Sequence, residues 1–280
     1  MTEDTARRLR VLTLNLHCWQ EADAEAKLHR VAAAIAQQRP EIVLLQEVGQ
    51  HVTAPVVGVR NSETIRADNA ALVIAQTLER DHRMQYDWLW VFAHIGFAAW
   101  EEGVAMLTTL PIVEAEGWYV SRPGSRHAWN ARRLLVADLQ IAPNRHLTCA
   151  SAHLSWWDDP DEPFAPQFDR VEEILSRRHA DAILAGDLNV RDDGPGYAYM
   201  VASGNWNDAH AAALVPTRPN GTFPGDIAGW SGAEAGRIDY VLHRGSQLRP
   251  VAATTLFNTA ETRVSDHFGL LVDFAYTVDT

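Results

Sequence analysis

Only one lysine, Lys27, and two cysteines, Cys18 and Cys149, occur among the 280 residues of the chain. The two cysteines do not have the spacing of metal ligands, and a single disulfide would not hold together a domain of this size. We therefore expect both thiols to be reduced. Arginine carries almost all the positive charge, and the formal net charge is −12. An acidic surface repels phosphate backbones, which argues against tight sequence-independent binding of nucleic acid.

Long apolar runs are also absent, since no stretch approaches the roughly 20 residues that a membrane-spanning helix needs. The N-terminal residues are polar, and no signal-type apolar segment follows them. We therefore expect a cytoplasmic protein that does not act at a membrane. Hydrophobic residues form 47% of the chain, and no linker, repeat or low-complexity tract divides it. The expectation is a single domain over residues 1–280, with the oligomeric state left open.

Strand-like and helix-like stretches alternate along the chain. Residues 11–16 and 41–47 predict buried strands with polar ends, and residues 28–35 between them have the spacing of an amphipathic helix, which Pro40 ends. This alternation predicts a mixed α/β fold whose strand ends converge on a site. Further strands are predicted at residues 88–92, 104–107, 133–141, 146–153, 181–186, 238–243, 251–257 and 268–274. Further helices are predicted at residues 68–80, 171–175 and 194–203, and loops at residues 156–168 and 215–236.

Six groups of polar residues stand at the ends of predicted strands. Each alone is typical of a cap or a turn, but their coincidence indicates an active site. Asp187-Leu-Asn189 puts a carboxylate and an amide on the same side of an extended chain. Asp266-His267 puts a hard oxygen ligand beside a side chain that titrates near neutrality, which indicates metal-assisted attack of water on a phosphate ester. The groups are Asn15, Glu47, His153, Asp187 with Asn189, Asp239, and Asp266 with His267.

This ordered set resembles the endonuclease/exonuclease/phosphatase superfamily. The matching elements are Thr-Leu-Asn15, Leu-Gln-Glu47, Glu102-Gly-Val-Ala, Ala-His153-Leu, Gly-Asp187-Leu-Asn189, Arg-Ile-Asp239-Tyr and Ser-Asp266-His267. They run from residue 13 to residue 267 and so cover nearly the whole chain. The resemblance implies an α/β fold of four layers, in which two packed mixed β-sheets are flanked by helices.

The resemblance also implies a metal site. Asn15, Glu47 and Asp266 would supply oxygen ligands to a divalent cation, and oxygen-only ligation favours Mg²⁺ or Mn²⁺ over Zn²⁺. Asp187 would orient and deprotonate the attacking water, or help to hold a second ion.

The remaining residues of the set would act on the phosphoryl group. Asn189 would bond a phosphoryl oxygen or the water. His267, held in one tautomer by Asp239, would donate to the phosphoryl oxygens as charge builds. His153 would donate from the other side, paired with Glu102. For Glu102 an alternative stays open, that it or its acidic neighbour faces solvent.

The segments between these motifs resemble the bacterial maltose 6'-phosphate phosphatases and their relatives. The resembling stretches are Asn15-Leu-His17-Cys-Trp19, Ala93-His94-Ile-Gly96, Trp100-Glu-Glu-Gly-Val, His153-Leu-Ser-Trp156-Trp157, Asp161 to Arg170, and Asp226-Ile-Ala-Gly-Trp230. This resemblance implies a phosphomonoesterase with a phosphorylated sugar or a similar small metabolite as its substrate. Aromatic faces suit a sugar pocket, and the candidate substrate contacts are His17, Trp19, His94, Trp156, Trp157 and Trp230. Apart from this resemblance, arginine suits bidentate phosphate contacts, which makes Arg126, Arg132 and Arg133 candidates, although each is more typical of an ordinary surface arginine.

Two rival functions remain open at this point. A phosphodiesterase, either a nuclease or a sphingomyelinase-like phospholipase, could use the same catalytic residues. The net charge of −12 counts against the nuclease, and the absence of an evident apolar hairpin counts against the phospholipase. A non-enzymatic relative should have lost a ligand, and no motif of the set is broken.

Overall fold

The computed structural model describes residues 7–122, 128–203, 205–215 and 221–276. A 3₁₀ turn at Cys18–Gln20 follows the first strand. The strands are β1 (Arg7–Asn15), β2 (Ile42–His51), β3 (Val56–Arg60), β4 (Glu63–Arg66), β5 (Asp87–Gly96), β6 (Trp100–Thr108), β7 (Ile112–Tyr119), β8 (Arg133–Ala142), β9 (Arg145–His153), β10 (Ala182–Asp187), β11 (Asn207–Asp208), β12 (Phe223–Gly225), β13 (Glu234–Gly236), β14 (Asp239–Arg244), β15 (Leu248–Leu256) and β16 (Gly269–Tyr276). The helices are α1 (Ala24–Gln38), α2 (Ala70–His82), α3 (Phe164–Ser176), α4 (Pro195–Ala202) and α5 (Ala209–Ala212). Among the helices of these ranges, none has the length and apolar character needed to cross a membrane.

Two six-stranded sheets have the same arrangement of parallel and antiparallel strands. The first has the order β15-β16-β1-β2-β6-β5, and the second has the order β11-β14-β10-β9-β8-β7. In each sheet the two central strands run parallel, β1 with β2 and β10 with β9, whereas the other neighbours are antiparallel. Each sheet therefore brings two carboxyl-terminal strand ends side by side at its centre.

Alternating side chains of the strands build the apolar layers. On β1, Val11 packs in the layer between the two sheets, whereas Leu12 packs in the layer that contains the buried faces of α1 and α2. A third layer joins the second sheet to α3 and α4 through residues such as Phe168 and Met200. The layer order is helices, sheet, sheet, helices, which confirms the predicted four-layer α/β sandwich.

A buried polar contact ties the two sheets together just behind the strand ends. Gln46 of β2 donates through Nε2 to Ser151 Oγ of β9 at 3.1 Å, and that hydroxyl donates to the Leu45 carbonyl at 3.1 Å. Gln46 and Ser151 are both fully buried. Because a buried polar group without a partner is costly, this contact favours one relative position of the two sheets.

Some elements differ from the predicted ones. The prediction omits β3, β4 and β7. Strands β4 and β7 are half-buried or exposed along nearly their whole length and lack a long apolar run, and β3 is short and exposed although it contains three valines. Helix α3 begins at Phe164, inside the predicted loop 156–168, because Phe164 and Phe168 belong to the same buried face as Val171. The predicted loop 215–236 contains the small hairpin of β12 and β13.

Gly186, next to Asp187, provides a test of the packing between β9 and β10. A Cβ atom at Gly186 would lie 1.9 Å from the Ala152 carbonyl oxygen, and its φ of +147° favours glycine. We expect Gly186→Ala to lower the free energy of unfolding by about 3 kcal/mol, measured by urea denaturation, because the backbone must shift. The control is Gly58→Ala, whose Cβ would meet nothing within 4 Å. Equal losses in the two variants would contradict this account of Gly186.

Candidate active site

The ends of the central strands meet at one edge of the sandwich. Asn15 ends β1, His153 ends β9 and Asp187 ends β10. Asp239 opens β14 directly opposite Asp187 in the antiparallel register. Glu47 lies at an irregular step in the pairing of β2 with β6. The sequence-predicted polar groups therefore come from both sheets to one place.

The Asn15 amide bridges the two sheets. Its Nδ2 donates to Glu47 Oε1 of the first sheet at 2.9 Å and to Asp187 Oδ2 of the second sheet at 3.0 Å. Its Oδ1 accepts from the backbone nitrogen of His17 at 3.0 Å. Asn15 is 0% exposed and Asp187 is 1% exposed. One buried amide thus holds acidic side chains of both sheets in a single hydrogen-bonded group.

Three residues around this group have a left-handed backbone. Their φ angles are 45° at His17, 50° at Glu47 and 51° at Asn189. For a residue other than glycine this conformation costs about 1–3 kcal/mol and persists only where the surroundings hold it. At Asn189, the backbone nitrogen donates to Asp187 Oδ1 at 3.0 Å. Such strain clusters at functional sites, which agrees with a site at these strand ends.

His267 lies between two carboxylates. Its Nδ1 is 3.0 Å from Asp239 Oδ2, and its Nε2 is 3.7 Å from Asp187 Oδ2. Burial lowers the pKa of His267, but the charges of Asp239 and Asp187 outweigh burial and raise it to about 10. Burial raises the pKa of Asp187 to about 7. His267 is therefore an imidazolium at neutral pH, with Nδ1 donating to Asp239.

Asn189 has every polar atom of its side chain engaged. Its Oδ1 accepts from Trp230 Nε1 at 3.0 Å, while its Nδ2 donates to the Leu154 carbonyl at 3.0 Å and lies 3.2 Å from His153 Nε2. Burial, with the charge of Arg132, holds the pKa of His153 well below its ordinary value. His153 is thus neutral, and its Nε2 accepts from the Asn189 amide.

Glu102 pairs with His94, so the expected pairing of Glu102 with His153 is wrong. Strands β5 and β6 put His94 opposite Glu102, with 3.4 Å between His94 Nε2 and Glu102 Oε1. Burial raises the pKa of Glu102 to about 8 and lowers that of His94 to about 4, so both groups are neutral at pH 7. The adjacent Glu101 is buried and contacts Arg66, so neither acid simply faces solvent.

His17 forms a charged group at the rim. Its Nδ1 lies 2.7 Å from Glu21 Oε1 and 3.6 Å from Asp266 Oδ1, and Lys27 forms an ion pair with Glu21. Burial lowers the pKa of His17, but the charge of Asp266 and the hydrogen bond to Glu21 raise it above its ordinary value. Asp266 therefore faces a histidine that tends to carry a proton.

A cavity of 380 Å³ opens between these groups. Asn15 and Asp239 lie behind its wall, where they bond Asp187 and His267. The sequence-predicted residues that line the cavity are His17, Glu47, His94, Glu102, His153, Trp156, Asp187, Asn189, Asp266 and His267.

The predicted tryptophans separate into different environments. Trp157 and Trp230 lie outside the main cavity and line a neighbouring one of 380 Å³, and Trp156 forms part of both walls. Trp19 lines neither; it stacks on Trp100 with ring centroids 5.6 Å apart. Trp156 is thus the predicted tryptophan that lines the main cavity, whereas Trp230 contacts the catalytic group through Asn189.

The sequence analysis did not identify two aromatic side chains that line the cavity. Phe97 and Trp129 both line it and are 76% and 57% exposed. Strand-end patterns do not find them, because both lie in connecting segments. The one available signal is their nearness in sequence to His94 and Arg132.

The predicted arginines also differ in position. Arg132 lines the cavity, whereas Arg133 forms an ion pair with Glu63 at 2.6 Å and donates to main-chain carbonyls. Arg126 lies outside the described residues.

Glu47 and Asp266 offer carboxylate oxygens of the kind that a hard divalent cation prefers, whereas Asn15 turns its Nδ2 to Glu47 and its Oδ1 to the His17 nitrogen. Within the described ranges, no lysine or arginine nitrogen lies within 4.0 Å of the Glu47 or Asp266 carboxylates. The charge of Glu47 also raises the pKa of Glu102, so this wall holds negative charge that a cation would relieve. Asp187, Asp239 and His267 are a second close cluster, but both ring nitrogens of His267 already face carboxylates. The assignment of the ion to Asn15, Glu47 and Asp266 therefore stays a prediction.

The sequence profile of the Endonuclease/Exonuclease/phosphatase family matches residues 12–267. The chain belongs to this family. Every candidate catalytic and metal-binding residue described above lies within the matched range. Membership makes the protein a hydrolase of phosphoester bonds, in a family whose members typically use divalent metal ions. No curated protein matches the chain by sequence.

Solved structures share the fold. An endonuclease/exonuclease/phosphatase family protein from Leptotrichia buccalis is 26% identical, with a TM-score of 0.84, and the match covers 95% of this chain and 99% of that one. A family member from Beutenbergia cavernae is 22% identical, with a TM-score of 0.69 and coverage of 96% and 72%. TDP2 from Caenorhabditis elegans is 18% identical, with a TM-score of 0.65 and coverage of 96% and 74%. These similarities extend over nearly the whole chain.

A thermal-shift measurement tests the metal site. We expect MgCl₂ or MnCl₂ to raise the Tm of the wild type, because an ion that binds only the folded state stabilises it by about 2.7 kcal/mol at a hundred times its Kd. Glu47→Gln removes a ligand and should abolish most of the shift. The matched control is Glu79→Gln, an exposed position on α2. An unchanged shift in Glu47→Gln, or none in the wild type, would refute this metal site.

Proposed function

We propose that this protein is a cytoplasmic phosphomonoesterase that removes phosphate from a phosphorylated sugar or a similar small metabolite, with Mg²⁺ or Mn²⁺. The observation that carries the proposal is the 380 Å³ cavity, which has the catalytic group in its wall and aromatic side chains at Phe97, Trp129 and Trp156. A cavity of this size suits a small molecule. The net charge of −12 disfavours a nucleic-acid substrate.

The segments that resemble maltose 6'-phosphate phosphatases add support. They include His17, His94 and Trp156, all of which line the cavity. Aromatic faces and polar side chains together suit the C–H surfaces and hydroxyls of a sugar. The neutral pair of His94 and Glu102 would present hydrogen-bonding groups without adding charge to that wall.

Asn15, Glu47 and Asp266 would hold the cation. When bound, the cation polarises the phosphoryl group and stabilises the leaving oxygen. Asp187 would accept a proton from the attacking water at a carboxylate oxygen, since burial raises its pKa to about 7, near the value that suits a general base. The water oxygen would attack phosphorus in line with the leaving oxygen.

The remaining polar side chains would bind the phosphoryl oxygens. His267, held through Nδ1 by Asp239, would turn its Nε2–H to a phosphoryl oxygen where negative charge builds. Asn189, with its Oδ1 held by Trp230, would donate to the same group or to the water through the Nδ2 hydrogen that now faces His153 Nε2. His153 lies beside Asp187, with 3.6 Å between Nε2 and Oδ2. It would donate from the opposite side in the neutral tautomer that carries its proton on Nε2, once the Asn189 amide has turned to the substrate.

Removing the proposed base or the imidazolium tests this assignment. We expect Asp187→Ala and His267→Ala each to lower kcat by about a hundredfold or more, because general-base and charge-stabilising groups contribute on that scale. Circular dichroism should show a retained fold. As a control, Asp193→Ala changes an exposed carboxylate that pairs with Arg191 away from the cavity. Retained activity in either site variant would contradict the mechanism.

A substrate panel tests the function itself. Phosphate release would be measured from maltose 6'-phosphate, trehalose 6-phosphate, glucose 6-phosphate, nucleotides and inositol phosphates, with bis-p-nitrophenyl phosphate as the diester. We expect release from sugar monoesters that stops on chelation of the metal. Cleavage of the diester alone would replace the proposal with the alternative, a phosphodiesterase of the same family, because the catalytic residues would serve either ester.

A further inference from the structure

Two arginines are nearly fully buried in the described part of the chain, and their surroundings differ. Arg237, 4% exposed, has Asp208 at 2.6 Å and Asp192 at 3.3 Å as carboxylate partners. Arg132, 5% exposed, has no carboxylate oxygen within 4.0 Å of its guanidinium in the described ranges, and its Nε has no hydrogen-bond partner. A buried charge without a partner is costly, so the fold keeps Arg132 at an unfavourable position.

The backbone holds Arg132 firmly at the entrance to β8. Its nitrogen donates to Ser121 Oγ at 3.0 Å, and its carbonyl accepts from the Val120 nitrogen at 3.0 Å. The side chain lines the 380 Å³ cavity. The backbone is therefore fixed here, and the side chain, which is 5% exposed, lies in the wall of the cavity.

His94, Glu102 and His153 line a small space beside this guanidinium, together with the Arg132 side chain itself. Within the described ranges, none of these three side chains forms an ion pair or a hydrogen bond with it. The guanidinium thus lies in the wall of the main cavity without a direct carboxylate partner, while the proposed metal ligands Glu47 and Asp266 also line that cavity.

We propose that Arg132 binds the terminal oxygens of the substrate phosphoryl group and so selects phosphomonoester dianions over phosphodiesters. This inference rests on the proposed function. A monoester offers three terminal oxygens and a charge near −2, whereas a diester has a second substituent in place of one oxygen and a charge of about −1. The planar guanidinium bonds two such oxygens at once. Because the guanidinium is shielded from water, its attraction to the additional negative charge of the monoester would be strong.

Kinetics of Arg132→Gln and Arg132→Lys test the selection. For Arg132→Gln we expect kcat/KM on a sugar phosphate to fall by about thirtyfold or more, the scale for losing one partner of a buried charge pair. On bis-p-nitrophenyl phosphate we expect a change below about threefold. Arg132→Lys keeps the charge but loses the two-pronged contact, so the ratio of monoester to diester hydrolysis should fall between wild type and Arg132→Gln. The matched control is Arg170→Gln, which makes the same charge change at an exposed position on α3.

Binding of inorganic phosphate provides a readout independent of catalysis. Isothermal titration of the Mg²⁺-loaded protein should give a Kd for phosphate that is weakened by about thirtyfold in Arg132→Gln and unchanged in Arg170→Gln. If Arg132→Gln does not fold, the same titration of Arg132→Lys tests the role of Arg132. We then expect Arg132→Lys to bind phosphate more weakly than the wild type does.

The outcomes separate this inference from the proposed function. Phosphate affinity and ester preference that stay unchanged in Arg132→Lys and Arg132→Gln would overturn the role of Arg132, whatever the substrate. A wild type that hydrolyses only the diester would refute the proposed function and the selection together. Equal losses on monoester and diester would overturn the selection while leaving the phosphatase activity in place.

Discussion

The hydrogen bonds from Asn15 to Glu47 and Asp187 are the contacts on which the site depends most. They join the first sheet to the second at the place where both present parallel strand ends. Without a shared partner, two buried or half-buried acids from separate sheets would repel each other in a medium of low dielectric. The amide lets both approach, and the Gln46–Ser151 contact behind it favours the same sheet position.

Charge in the cavity is distributed unevenly, and burial is the reason. Carboxylates without lysine or arginine partners lie at the Glu47 and Asp266 wall, within the described residues. Beside Glu47, Glu102 lies 3.4 Å from His94, and burial shifts the pKa of each of these two groups toward its neutral form. His267 keeps its proton because Asp239 and Asp187 lie on either side of it. Carboxylates at Glu47 and Asp266 and a guanidinium at Arg132, all in one cavity, would suit the proposed substrate, an anion that binds together with a cation.

The sequence predicts the strand-end residues well because two independent signals coincide there. Asn15, Asp187 and Asp239 each adjoin an apolar run with a visible period, and the ordered motifs identify the family. The pairing of His94 with Glu102 could not be read in this way, since it follows from the register of β5 with β6, which no local pattern encodes. Phe97 and Trp129 were missed for a related reason, because exposed aromatic residues in connections carry no periodicity. Edge strands such as β7 lack the apolar run that reveals β1 or β10.

The alternation of side chains along β1 and β10 limits how this protein can tolerate changes in length. Val11 and Leu12 already face different layers, so one residue inserted within β1 would exchange its two faces and carry Asn15 away from Asp187. The connection that carries Phe97, between β5 and β6, is under no such parity rule, because it lies outside the two strands. Insertions and deletions there would reshape the mouth of the cavity and leave the catalytic geometry in register. The chemistry is thus tied to strand length, whereas the shape accepted as substrate is open to variation in the loops.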